Sequence, residues 1–174
     1  MPPSDQDERS GIHPRAPLTG GAAARSSAAA AAELSFALSA EWVAPSLARD
    51  RFDRWLRRIG WPPGQREDLV LALSEAVSNS VEHGYSLDLG ASRQDVGTGV
   101  VEVSAGVLVE ANGMRRIRLT VRDHGSWREP VAPARFRGHG LTIIRACADR
   151  FHIDGDAGGT TLELTSRAAP PPPG

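Results

Sequence analysis

The chain of 174 residues contains no lysine: all 20 of its Lys and Arg positions are arginine. Several chemistries are excluded by that absence. A Walker-type P-loop and a protein kinase of the eukaryotic kind both place a lysine on the phosphates, and a Schiff-base enzyme needs one as nucleophile. Arg122-Asp123 is therefore not the catalytic loop of such a kinase. Cysteine is almost as scarce. Cys147 stands alone, so neither an intramolecular disulfide nor a cysteine-based zinc site can form, which suits a reducing cytoplasm. Set among Ile143, Ile144, Ala146 and Ala148, its thiol reads as an inert core group. No run of residues approaches the length and apolarity of a membrane span. A net charge of -1 with acids and bases mixed along the chain offers no basic field to draw nucleic acid or anionic lipid. Protein and small-molecule partners remain.

What is present suggests one folded unit between two weakly structured ends. Met1 to about Ala32 is rich in Pro, Ser, Gly, charge and alanine, with almost no large apolar residue, so residues 1–32 read as a disordered arm. The alanine run at Ala28–Ala32 lacks the Leu, Val or Ile of a signal peptide. Residues 167–174, proline-rich from Ala168 onward, read as an extended, solvated, disordered tail. Between them, 33–166 alternates helix and strand periods.

Leu34, Phe36 and Leu38 alternate as in a strand. Leu47, Phe52, Trp55, Leu56 and Ile59 recur at helical spacing over Pro45–Ile59, and Trp61-Pro-Pro-Gly64 breaks the chain. A second helix spans Gln65 to about His83. At 3.6 residues per turn, Leu69, Val70, Leu73, Ala76, Val77 and Val81 share one arc, while Glu75, Asn79 and Glu82 share the opposite one. Such a polar stripe is ordinarily a solvated face; here it could also present a carboxylate and an amide oxygen to a ligand. After a polar connection over 84–98, Val101–Val109 and Ile117–Val121 form a hairpin around Asn112-Gly113.

Asp123 then closes a strand, and Gly125 follows without a side chain to block a flat ring. Asp-x-Gly after a strand is more often a simple turn. Ser126–Arg137, with two prolines and four charges, reads as an exposed loop that could serve as a lid. Gly138-His-Gly140 opens a short helix through Leu141, Ile144 and Ala148, where phosphate could reach free backbone N–H groups, although a flexible helix entry is the commoner meaning. Two final strands, Arg150–Ile153 and Thr160–Leu164, are joined by Asp154–Gly159. Thr160 and Thr161 follow these glycines; a hydroxyl there could hydrogen-bond a purine edge or a bound water, although threonine in a strand needs no functional explanation.

Taken jointly, Ser74-Glu-Ala-Val-Ser-Asn-Ser-Val-Glu-His-Gly84, Asp123-His-Gly125, Gly138-His-Gly140-Leu141 and Gly159-Thr-Thr161 resemble the GHKL superfamily of gyrase-type ATPases and histidine-kinase ATP-binding domains. Within it, the first motif looks most like the anti-sigma-factor serine kinases. The similarity covers about Leu34 to Ser166. It implies an α+β fold, a two-layer sandwich of the Bergerat type, with a mixed, mostly antiparallel sheet and helices on one face. ATP and Mg2+ are the implied cofactors. Glu75 would be the general base, Asn79 would bind magnesium, and Asp123 would accept a hydrogen bond from the adenine amino group. Gly125 would give the base room, Gly138 and Gly140 would shape the phosphate lid with Leu141 beside them, and Thr161 would support the adenine side. Ser126-Trp127 stands where many members have a second glycine, and Trp127 is read as an anchor for the lid. Arg135 or Arg137 could reach the terminal phosphate.

The resemblance further implies a cytoplasmic protein serine/threonine kinase that phosphorylates a STAS-type anti-anti-sigma partner and sequesters a sigma factor, with homodimerisation common among such relatives. A nucleotide-dependent binding module without phosphotransfer is the alternative. A histidine-kinase domain detached from its sensor is a third reading, against which His83 matches the anti-sigma pattern and reads as structural.

Overall fold

A computed structural model describes residues 33–84, 99–125, 139–156 and 158–172. The elements run β1 (Glu33–Ser39), α1 (Ala44–Arg58), α2 (Pro63–Asn79), a π-helical turn (Ser80–Gly84), β2 (Val100–Val109), β3 (Arg115–Asp123), α3 (His139–Cys147), β4 (Arg150–Asp156) and β5 (Gly159–Thr165). The strands form one sheet in the order β1-β2-β3-β5-β4. The α+β class and the helices packed on one sheet face agree with expectation.

The sheet differs in one respect, because all four pairings are antiparallel and none is mixed. Two helices separate β1 from β2, so the chain returns to the end where β1 stopped: Ser39 pairs with Val100, and Ala40 N–H donates to Gly99 at 2.9 Å. β3 and β4 do run the same way, but β5 lies between them.

Both helix boundaries at the α1–α2 corner have local causes. Proline sits in the first turn of each helix, where its missing N–H has no intrahelical partner to lose. Pro63 therefore starts α2 instead of merely breaking the chain. At the end of α1, Trp61 N–H donates to Leu56 and Gly60 N–H to Arg57, with Gly60 at φ 62°. This paired closure satisfies two of the last carbonyls and needs the left-handed glycine. The β2–β3 hairpin turns at Asn112-Gly113, as expected; Asn112 Oδ1 accepts from Met114 N–H at 2.9 Å.

The core lies between sheet and helices. Phe52 and Trp55 stack at 5.7 Å, and with Leu56, Leu69, Leu73, Val77, Ile117, Leu119 and Leu164 they are fully buried. Alternation along β3 puts Arg116, Arg118, Thr120 and Arg122 on the other face, which no helix among the described residues covers. A shallow trough of about 410 Å³ lies there, lined by Ser35, Ala37, Glu102, Ser104, Thr120 and Arg122 among others.

The tail departs from expectation. Ala169 is fully buried and bridges Arg115 through two backbone hydrogen bonds of 2.8 Å. The segment from Arg167 to Pro172 is thus docked, because β3 offers it a free backbone edge beyond the last residue of β5. The expected arm at 1–32 and the loop over Ser126–Arg137, with Trp127, Arg135 and Arg137, lie outside the described residues.

Candidate functional site

Glu75 and Asn79 occupy the last turns of α2 and are half-buried, not part of a solvated stripe. The cause is α3, which packs along α2 and brings Gly140 over both. A methyl group at Gly140 would lie 3.1 Å from Glu75 Oε2 and 3.3 Å from both Asn79 Nδ2 and Oδ1. The carboxylate and the amide therefore meet the first turn of α3, where helix N–H groups lack intrahelical partners and the dipole favours negative charge. Leu141, next in that turn, is 40% exposed. Gly138 lies outside the described residues.

A second cluster forms where β3 ends. Asp123 is 1% exposed, and its Oδ1 accepts from Gly125 N–H at 3.1 Å and Thr160 N–H at 3.3 Å. Two backbone donors thereby fix the carboxylate in a buried position, where a carboxylate needs such partners. Gly159 makes this possible. At φ 128° it approaches so closely that an added Cβ would lie 2.0 Å from the Asp123 carbonyl oxygen and 2.8 Å from His124 Cα.

Strand register separates the two threonines. Thr160 pairs with Asp123 and shares its face, whereas Thr161 pairs with Arg122 and Asp154 and stands on the bare face of the sheet. Thr160, and not the expected adenine-side Thr161, is thus the threonine on the face of Asp123, because successive strand residues point to opposite faces. Gly159 is the residue here to which sequence reasoning gave no role, and it did not separate Thr160 from Thr161 by face. The Gly-Thr-Thr motif carried the signal, and only the register could say which threonine turns inward.

The two clusters are joined by the π turn Ser80–Gly84, which follows Asn79 and packs against β3 and β5, with Val81 buried. The expected helix to His83 is present as α-helix only to Asn79. π turns cost hydrogen-bond geometry and concentrate at functional sites. Cys147, by contrast, is buried, and burial, helped by the nearby Asp68 charge, pushes its thiol pKa up. That fits an inert thiol.

The trough on the bare sheet face holds none of the clustered residues Glu75, Asn79, Gly140 and Asp123. Among the described residues, no group of three or more His, Cys, Asp or Glu could hold a metal by itself, and no helix is long and apolar enough to cross a membrane.

Among the described residues, helices pack on one antiparallel sheet with a carboxylate and an amide against a helix start, an α+β domain in a chain that has no lysine to serve a P-loop. Residues 36–166 match the histidine kinase-like ATPase domain, and the chain belongs to that family. It is 30% identical over 107 residues to the serine-protein kinase RsbW of Oceanobacillus iheyensis, covering 58% of this chain and 65% of that protein. It is 33% identical over 109 residues to the anti-sigma F factor of Anoxybacillus flavithermus, covering 56% and 66%. The chain thus spans just under two thirds of the length of these two curated relatives. The crystal structure of the RsbU and RsbW domains of Rv1364c from Mycobacterium tuberculosis superimposes with a TM-score of 0.58 at 33% identity, covering 80% of this chain and 34% of that one.

Proposed function

We propose that this chain is an ATP-binding anti-sigma factor with protein serine/threonine kinase activity, which phosphorylates a STAS-type anti-anti-sigma partner and sequesters a sigma factor when that partner is unavailable. The observation that carries the reading is how closely the start of α3 lies over α2: a methyl group at Gly140 would be 3.1 Å from Glu75 Oε2 and 3.3 Å from the Asn79 amide. A side chain there would press on both groups. Relatives named as serine-protein kinase and anti-sigma factor support the same assignment.

The residues suit the cofactors. Magnesium prefers oxygen donors and is commonly held by one or two protein ligands together with phosphate oxygens and water, a set that Asn79 Oδ1 completes without a dedicated metal cluster. Bound magnesium would neutralise charge on the phosphates. Glu75 accepts the proton from the acceptor hydroxyl, a role that a half-buried carboxylate can fill. The N–H groups at the start of α3 receive phosphate oxygens. Asp123, oriented by Gly125 and Thr160, accepts from the adenine amino group, and Gly125 leaves room for the ring. Because little covalent chemistry falls to the protein in phosphoryl transfer, positioning of these groups supplies most of the effect.

The test is incubation of the purified protein with labelled ATP, magnesium and STAS-domain proteins of the same organism. Label should appear on a serine or threonine of one of them. Glu75→Ala should reduce transfer by roughly 10²–10⁴-fold while nucleotide binding is largely retained. Binding of a STAS protein without label would favour the adaptor reading, and equal transfer by Glu75→Ala and wild type would remove the proposed base.

A further inference from the structure

The segment after β5 makes an unusual number of specific contacts for a proline-rich stretch, and they all fall at the pole opposite the candidate site. Ser166 Oγ accepts from Ile117 N–H at 2.9 Å. Arg167 reaches two helices at once: its Nη2 donates to the Ala146 carbonyl of α3 at 2.6 Å, and its Nη1 lies 3.6 Å from Asp68 Oδ2 of α2. Gln65, in the first turn of α2, donates to the Ala168 carbonyl at 3.0 Å. Arg115 closes the assembly from β3. Only 7% exposed, it donates to Pro170, Ile59 and Gly60 carbonyls at 3.0, 2.9 and 3.1 Å, and its guanidinium lies 5.1 Å over the Trp61 ring. Pro172 lies close enough to Gly60 that a methyl group added there would be 3.5 Å from the proline Cβ.

A buried guanidinium satisfied by two chain segments loses part of its hydrogen-bond shell if either one leaves, so the corner and the docked segment hold each other. The same segment grips α2 near its start and α3 near its end. Glu75 and Asn79 lie at the opposite end of α2, and Gly140 at the opposite end of α3. At 1.5 Å per residue the two helices are about 25 and 13 Å long, and rigid rods carry a displacement at one end to the other.

We propose that Arg115 and Arg167 are positioning residues: through them, Arg167–Pro172 acts as a strap that keeps α2 and α3 in register and so sets the Glu75–Asn79–Gly140 contact. The functional consequence rests on the reading of that contact as the nucleotide pocket.

The test uses the full chain carrying Arg167→Ala, with Ala169→Asp as a second variant that expels the strap without altering β3. Hydrogen exchange without nucleotide should accelerate about tenfold in Glu75–Val81 and Gly140–Ile144, with β2 unchanged. Affinity for Mg-ATP, titrated by fluorescence, should fall about five- to tenfold. Faster exchange confined to Gly60–Gln65 and Arg115, or an equal acceleration of every peptide including β2, would overturn the proposal by reducing the strap to local or global stability. Failure of the wild-type chain to bind Mg-ATP would instead defeat the pocket reading; the exchange comparison, made without nucleotide, still decides whether the strap holds the two helices.

Discussion

Gly159 has a stronger claim to its identity than any other residue near the site. Its φ of 128° lies where L side chains are strained, and an added Cβ would overlap the Asp123 backbone at 2.0 Å. Gly159→Ala is therefore expected to combine backbone strain with displacement of β3 from β5, costing about 3 kcal/mol or more. Chemical denaturation should show a lower midpoint, and a variant within about 0.5 kcal/mol of wild type would mean that the strands do not approach as described. Asp123 depends on the same approach, since Thr160 N–H can reach Oδ1 only when Gly159 lets the strands close. A neighbouring carboxylate and two backbone donors are thus one unit, although the sequence separates Asp123 from Thr160 by a loop, a helix and a strand.

At the scale of elements, Gly140 separates folding from function. As a helical glycine it is conformationally expensive, so Gly140→Ala should leave stability unchanged or raise it by about 0.5–1 kcal/mol. The new methyl group would press on the ends of the Glu75 and Asn79 side chains at 3.1–3.3 Å, which must move by a few tenths of an ångström. Mg-ATP affinity should drop roughly tenfold, equivalent to about 1.4 kcal/mol. Thermal unfolding and nucleotide titration of one preparation check both signs together; a variant that loses stability and affinity in parallel would contradict the argument. The elements show why part of the site was legible and part was not. Helical period placed Glu75 and Asn79 on one face, and strand alternation placed Asp123 at an end, since both patterns are local. That the polar stripe would be half-buried could not be read from α2, because the cover comes from α3. The inward threonine depends on β3–β5 register, and the docking of Ala169 on a free edge of β3. Those are pairings between distant segments, which no local periodicity encodes.

At the scale of the whole molecule, the candidate site is assembled from three pieces drawn from both layers: the end of α2, the start of α3, and the β3–β5 strand ends, linked by the π turn. A ligand touching all three should therefore stabilise the domain as a unit and not only its pocket. Anything that binds the folded state alone adds RT ln(1 + [L]/Kd), about 2.7 kcal/mol at a hundredfold excess over Kd, and for a domain of this size that corresponds to a rise on the order of 10 °C in Tm. Mg-ATP should produce such a rise in the wild-type chain, and ATP with a chelator a smaller one. In Asn79→Ala the difference between the two conditions should shrink, because the amide oxygen proposed to join magnesium to α2 is gone, while the adenine-side contribution proposed for Asp123 remains. Asp123→Asn should show the reverse, a reduced rise in both conditions with the magnesium increment preserved. If both substitutions removed the same component, the two clusters would not divide the nucleotide between metal and base; if neither altered the rise, the ligand would have to sit elsewhere, with the trough on the bare sheet face as the next place to probe.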